Sequence, residues 1–164
     1  MSIAQSLLPE FDQEMANTRK MLACVSNDRF TWKPHEKSMP LGRLASHVAE
    51  MPNWAIPTIE QDSLEIKPGD KPYFAESADD LLPHFDKGVV AARALIEGAS
   101  DETMAKQWSF IYAGQTIFSM PKSAVLRNMV FNHMVHHRAQ LGVYLRLNDI
   151  AIPGMYGPSA DDKF

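Results

Sequence analysis

The sequence predicts an all-α protein, a four-helix bundle of up-and-down topology with long loops. Three observations lead there. Apolar residues recur every three or four positions in four separate segments. Each of those segments is long enough for roughly five to seven helical turns, the size used by bundles. The stretches between them are rich in proline, glycine and polar residues. The 164 residues fit a single domain, 1–164, large enough to bury a core without disulfide support.

The first helix is expected over roughly 4–26, where Leu7, Leu8, Phe11, Met15, Leu22 and Val25 repeat at helical spacing. "RFTWKPHEKSMP" follows as a connecting loop, with two prolines among polar residues. The second helix begins near Leu41 and contains "LGRLASHVAEMPNWAIP". Pro52 should kink or shorten it, because proline removes a backbone donor and crowds the preceding turn. "QDSLEIKPGDKPYFAE" reads as a surface loop. Ser77 is a suitable N-cap for the third helix, roughly 78–97, with Asp80 three residues on and Gly98 placed to end it. "QWSFIYAGQTIFSM" breaks the helical pattern: aromatic and β-branched residues flank Ala113-Gly114. A short β-hairpin or an extended connection between the third and fourth helices is expected there, leaning on the helices for support. The fourth helix starts near Pro121, a residue suited to a first helical turn, and runs to about Leu147. The tail "NDIAIPGMYGPSADDKF" is too rich in proline and glycine to continue it.

Composition removes several function classes. Sixteen basic residues against 20 acidic ones give a net charge of −4, with no basic run. A nucleic-acid partner or an anionic membrane surface has no electrostatic support. No apolar stretch approaches the ~20 residues that span a bilayer, and the start lacks the basic-then-apolar pattern of a signal peptide. A cytoplasmic protein is expected. Cys24 is the single cysteine, which excludes an intrachain disulfide and a thiolate metal cluster; it reads as buried filler. There is no HExxH, no Glu-x-x-His pair and no glycine-rich phosphate loop.

Residues 132–140, "NHMVHHRAQ", hold three of the six histidines. At about 100° per residue, His133 and His137 lie roughly 40° apart and one turn from each other. Leu126, Val130, Leu141 and Tyr144 share their stripe, so both imidazoles face the core. Two histidines at i and i+4 present two nitrogens to one ion. A third donor is expected from the second helix, where His47 shares a face with Leu44, Met51 and Trp54. Three inward histidines otherwise need a dense buried hydrogen-bond network, which is the plainer alternative. A divalent cation satisfies them together. His136 points nearer the edge, as a fourth ligand, a neighbour of the ligands or a surface residue. Glu50 and Gln140 are candidates for orienting a ligand imidazole. His35 and His84 read as surface residues.

The stretches "WKPHEKSMPLGRLASH", "SHVAEMPNWA", "NHMVHHRAQLGVYLR" and "IPGMYGPSADD" together resemble the DinB-like (damage-inducible, YfiT-type) superfamily of metal-binding four-helix bundles. Its pattern of a histidine on helix two, then His-x-x-x-His, Arg, a small residue and Gln on helix four, falls on His47, His133, His137, Arg138, Ala139 and Gln140. The resemblance implies a divalent metal ion, Zn²⁺ or Ni²⁺ first, in a deep pocket at one end of the bundle. It implies a homodimer as well, for which Phe131, Val135, Ala139 and Gly142 offer a second apolar strip on helix four. Relatives of this kind include bacillithiol transferases and a mycothiol-dependent maleylpyruvate isomerase.

The leading expectation is therefore a metal-dependent enzyme. Its His47–His133–His137 site would activate a thiol or water, as a thiol S-transferase or hydrolase acting on a small-molecule substrate. Tyr156 on the tail is a further residue that could approach the pocket. No residue is assigned to proton transfer. The competing class is a non-catalytic, metal-stabilised binding protein connected with stress, and the third is a family member without metal.

Overall fold

The structure is a computed structural model that describes residues 1–162. Helix α1 (Ile3–Leu22) opens on a capping box. Ser2 accepts from the Gln5 amide while the Gln5 side chain accepts from the Ser2 amide. Its buried face, Ala4, Leu7, Phe11, Met15, Thr18 and Leu22, steps by three and four. The helix ends at Leu22, short of the expected 26. Helix α2 (Leu41–Glu50) follows, and Pro52 does what its missing N–H dictates: the chain tightens into a 3₁₀ turn over Met51–Trp54 and resumes as α3 (Ala55–Glu60). Helix α4 (Leu81–Gly98) is entered through a turn whose Ser77 and Asp80 form a reciprocal cap. After the short α5 (Asp101–Ala105) and two strands, α6 (Lys122–Val125) passes through a π-helical stretch, Leu126–Asn132, into α7 (His133–Leu147).

The expected all-α four-helix bundle is overturned. Strands β1 (Ser63–Ile66), β2 (Gln107–Tyr112) and β3 (Gln115–Pro121) make a three-stranded mixed sheet, with β1 parallel and β3 antiparallel to the central β2. The molecule is helix-rich but not a simple bundle. The stretch read as a short hairpin or extended connection leaning on the helices is two strands of that sheet. Its turn carries φ of 49° at Ala113 and 79° at Gly114, the left-handed pair a two-residue turn requires. The stretch read as a surface loop supplies the third strand. A four-residue strand paired in parallel with a partner 46 residues further along the chain has no adjacent turn to announce it, which is why "SLEI" reads as loop.

Two lysine and tryptophan contacts seat the sheet on the helices. Lys122, buried, donates to the carbonyls of Ile59 (2.9 Å) and Gln61 (2.7 Å) and so closes the C-terminal end of α3. Trp108, buried on β2, donates its indole N–H to Pro57 O at 3.1 Å. Helices α1, α2, α4 and α7 form the main core, with α4 and α7 each packed on both α1 and α2. Leu41, Leu44, Val48, Leu81, Phe85, Leu141 and Leu145 are sealed between them.

One ion pair ties α1, α7 and the tail together. Arg138 donates to Glu14 Oε2 at 2.7 Å, to the Glu14 carbonyl at 3.1 Å, to Thr18 Oγ1 at 3.0 Å and to the Tyr156 hydroxyl at 2.6 Å. The side chains of Arg138 and Glu14 are 2% and 9% exposed, so neither can turn to water if the other is removed. Arg138→Met should therefore cost about 3 kcal/mol of stability, read as a lower urea midpoint at unchanged slope. A midpoint within error of the parent would show that the pair is structurally idle.

Candidate metal centre

The histidines expected from the sequence to converge are brought together at the crossing of α2 and α7. One donor atom from each of His47, His133 and His137 lies within 4.8 Å of the others, and all three are partly buried. The His47 ring stands edge-on to both partners, 5.2 Å from His133 and 4.6 Å from His137 between centroids. His136 touches His137 edge-on at 4.8 Å but is exposed and outside the converging set.

Hydrogen bonding tests whether a cation fits. His137 Nδ1 is 2.8 Å from Gln140 Oε1, and His137 Nε2 is 2.8 Å from His133 Nε2. With Nδ1–H donated to Gln140, a neutral His137 keeps a lone pair on Nε2, so His133 Nε2 must supply the hydrogen between them. His133 Nδ1 is then a buried acceptor, and it has no hydrogen-bond partner. A cation held by His133 and His137 would end the competition of these two rings for a single hydrogen. The backbone of Met129 favours a proton on the His133 ring. The π-helical slip contributes here: the His133 amide bonds to the carbonyls of Asn128 and Val130, passing over Met129. Wide turns of this kind recur at functional sites.

The three rings are held neutral. Burial pushes the His47 imidazole down to about 3, with His137, His133 and Arg43 adding repulsion. His133 and His137 are lowered too, burial again first; the Met129 backbone and Gln140 respectively act the other way. Neutral imidazole is the form that ligates.

His47 also lines an open cavity of about 530 Å³ together with Arg43, Glu50, Trp54 and Tyr73, walled by Leu64 and Ile66 of β1. Glu50 does not meet a histidine of the triad. Its carboxylate accepts from His84 Nε2 across the α2–α4 interface. The His84 ring stacks on Tyr73 at 3.6 Å, and the Asn53 amide lies 3.2 Å from the same nitrogen. Gly88 makes room for Asn53, since a Cβ there would stand 2.7 Å from its amide nitrogen. His84, expected on the surface, is thus a half-buried partner of a cavity carboxylate. Tyr156 lies elsewhere, with its hydroxyl engaged by Arg138 and Glu14. A separate groove of about 430 Å³ beside α7 is almost wholly apolar and contains none of the triad. Of the apolar strip on helix four, Phe131 and Gly142 are already buried within the chain, Val135 is half-buried and Ala139 is exposed. Burial raises the Cys24 thiol above its ordinary range, in keeping with filler.

The model of the DinB family matches residues 1–163. The chain belongs to the DinB family. It is 27% identical over 157 residues to the uncharacterized protein YrdA of Bacillus subtilis strain 168, covering 94% of this chain and 89% of that protein. The fold is shared with a DinB-like protein from Bacillus cereus ATCC 10987, at a TM-score of 0.72 and 24% identity over 93% of this chain and 97% of that one. A DinB-like protein, YjoA, from Bacillus subtilis gives 0.70 and 19% over 94% and 99%. This DinB protein has three histidines that could hold a metal ion. No helix among its described residues is long and apolar enough to cross a membrane.

Arg43 and Tyr73 escaped the sequence reading, Trp54 entered it only as a face-mate of His47, and His84 was read as surface. Arg43 had a signal, four residues before His47 on the same helical face. The others depend on which helix and strand α2 meets.

The lowered histidines imply a pH dependence of the metal-free fold. Native His47 binds a proton only near pH 3, whereas the unfolded chain binds one near 6.5. Stability from the neutral form is full above 6.5 and is lost as pH falls through 6.5 toward 3. In EDTA, the urea midpoint of the parent should drop more between pH 7 and pH 5 than that of His47→Gln. Equal drops would remove His47 from the titration.

Proposed function

We propose that this DinB protein is a metal-dependent enzyme in which His47, His133 and His137 hold one divalent cation, Zn²⁺ or Ni²⁺. The cation would activate a thiol or a water toward a small electrophile, giving thiol S-transfer or hydrolysis. The observation that carries this reading is the convergence of three neutral imidazole donors within 4.8 Å, one of which, His47, lines an open cavity. Three protein donors leave positions free for a reactant, whereas a structural site uses four. His136 does not complete a fourth, so a closed, purely structural site has less support.

When bound, the cation lowers the pKa of a coordinated water or thiol and so supplies a nucleophile at neutral pH. The chain's own residues do the rest. Gln140 fixes the His137 ring by accepting its Nδ1 hydrogen. Glu50, on the cavity wall one turn beyond His47 and held by His84, is placed to take the proton that the nucleophile gives up. His84, with about a third of its side chain exposed, holds that carboxylate in place by donating to it.

Protein purified without a nickel column should contain close to one equivalent of metal per chain by elemental analysis, largely lost in His137→Ala. Gln140→Leu should weaken metal binding about 10- to 100-fold. No metal in the parent, even after incubation with Zn²⁺ and Ni²⁺, would reduce the three histidines to core residues. In a screen of low-molecular-weight thiols with small electrophiles, Glu50→Gln should keep its metal and lose about 10²- to 10⁴-fold in rate. An unchanged rate would remove Glu50 from the chemistry.

A further inference from the structure

The cavity beside the histidines contains a positive charge that the fold leaves without a counter-ion. The chain has seven arginines. Among the described residues, Arg19, Arg29, Arg93, Arg127, Arg138 and Arg146 each pair with a carboxylate. Arg43 pairs with none. Its one polar contact is a marginal hydrogen bond from Nη1 to the Tyr73 carbonyl at 3.5 Å. It is half-buried and lines the cavity one helical turn before His47.

We propose that Arg43 anchors an anionic group, carboxylate or phosphate, on the small molecule this cavity takes, with the molecule's apolar body against Trp54, Leu64 and Ile66. The proposal rests on reading the cavity as the substrate site of the metal centre, and it adds the substrate's chemical class. A half-buried guanidinium facing partly apolar walls has lost water without gaining a partner, which favours any ligand that brings the missing charge. The planar fork of arginine matches the two oxygens of a carboxylate or phosphate.

Each acid of the same lining has a hydrogen-bond partner other than Arg43. Glu50 is engaged by His84, Glu65 Oε1 accepts from the Gly114 amide at 3.2 Å, and Asp70 Oδ2 accepts from the Lys67 amide at 2.7 Å. Lys71, the other cation of the lining, is exposed and selects less. Residues four apart on a helix stand roughly 5–6 Å from each other, so the anion and the atom presented to His47 are only a few bonds apart. The arrangement suits a compact substrate.

The test is calorimetric titration of metal-loaded and EDTA-stripped protein with three probes of one shape: phenylacetate, phenyl phosphate and the neutral phenylacetamide. The parent should bind an anion at least about tenfold more tightly than the amide, in both metal states. Whichever anion binds better identifies the group. Arg43→Met, which keeps the aliphatic stem, should abolish the preference; Arg43→Lys, which keeps the charge without the fork, should retain part of it. Urea midpoints of both variants matching the parent establish that they fold. A parent without preference, or a preference surviving in Arg43→Met, overturns the proposal. A preference that vanishes on stripping the metal and ignores Arg43 assigns the anion to the cation and also overturns it. Arg43-dependent selectivity in a protein that takes up no metal would leave this anchor standing and refute the metal reading, so the two fail separately.

Discussion

Three neutral imidazoles pressed together where α2 crosses α7 are the constraint around which this DinB protein is arranged. They cost stability in isolation. Their hydrogen bonds cannot all be satisfied within the chain, and burial forbids them the charge that water would otherwise allow. A protein keeps such a cluster when something outside the chain completes it. The π-helical turn before His133, the Gln140 contact on His137 and the single face of α2 that carries Arg43, His47 and Glu50 all make sense relative to that point.

The crossing must be held rigid for three donors on two helices to stay in register. Arg138 lies one residue after His137 and points away from the site, into a buried set with Glu14, Thr18 and Tyr156. Candidate donor and anchor are therefore neighbours on one helix, about 100° apart around its axis. Rotation of α7 that would misalign His133 and His137 would also break a buried ion pair, and the penalty for that is steep. Thus the motif "HHRAQ" combines a donor, an anchor and an orienting amide within one turn and a half.

The sheet has a different role. Its first strand walls the cavity opposite α2, with Leu64 and Ile66 offering apolar surface to whatever enters. Its position depends on the helices: Lys122 and Trp108 both bond to carbonyls of α3 or the residue after it, so β1 and β2 stay where α3 ends. A bundle without this addition would hold the histidines yet leave the face of His47 broadly open. The glutamate and histidine pair on the far wall, Glu50 with His84, adds a polar group to a cavity otherwise bounded by Trp54, Tyr73 and aliphatic side chains.

The long helices, the capping of α4 by Ser77 and Asp80, the disturbance at Pro52 and the inward placement of His47, His133 and His137 were legible in the sequence. All of them follow from periodicity and backbone chemistry acting within a few residues. The four-helix count of the fold class was not reliable, because β1 is a four-residue strand whose partner lies far along the chain. Parallel pairing leaves no local mark. The π-helical stretch was equally silent: "LRNMVFN" reads as ordinary helix, and its wider turn is set by how the segment packs. His84 looked like a surface residue because helix phase alone puts it at a polar edge; only the docking of α4 on α2 brings it to Glu50. Arg43 stands one turn before His47, but that it lacks a counter-ion is a statement about every carboxylate among the described residues. The sequence by itself determined which residues turn inward, since side-chain direction repeats with the helix. Tertiary structure alone decided which of them meet, because contact across elements depends on packing that no local pattern encodes.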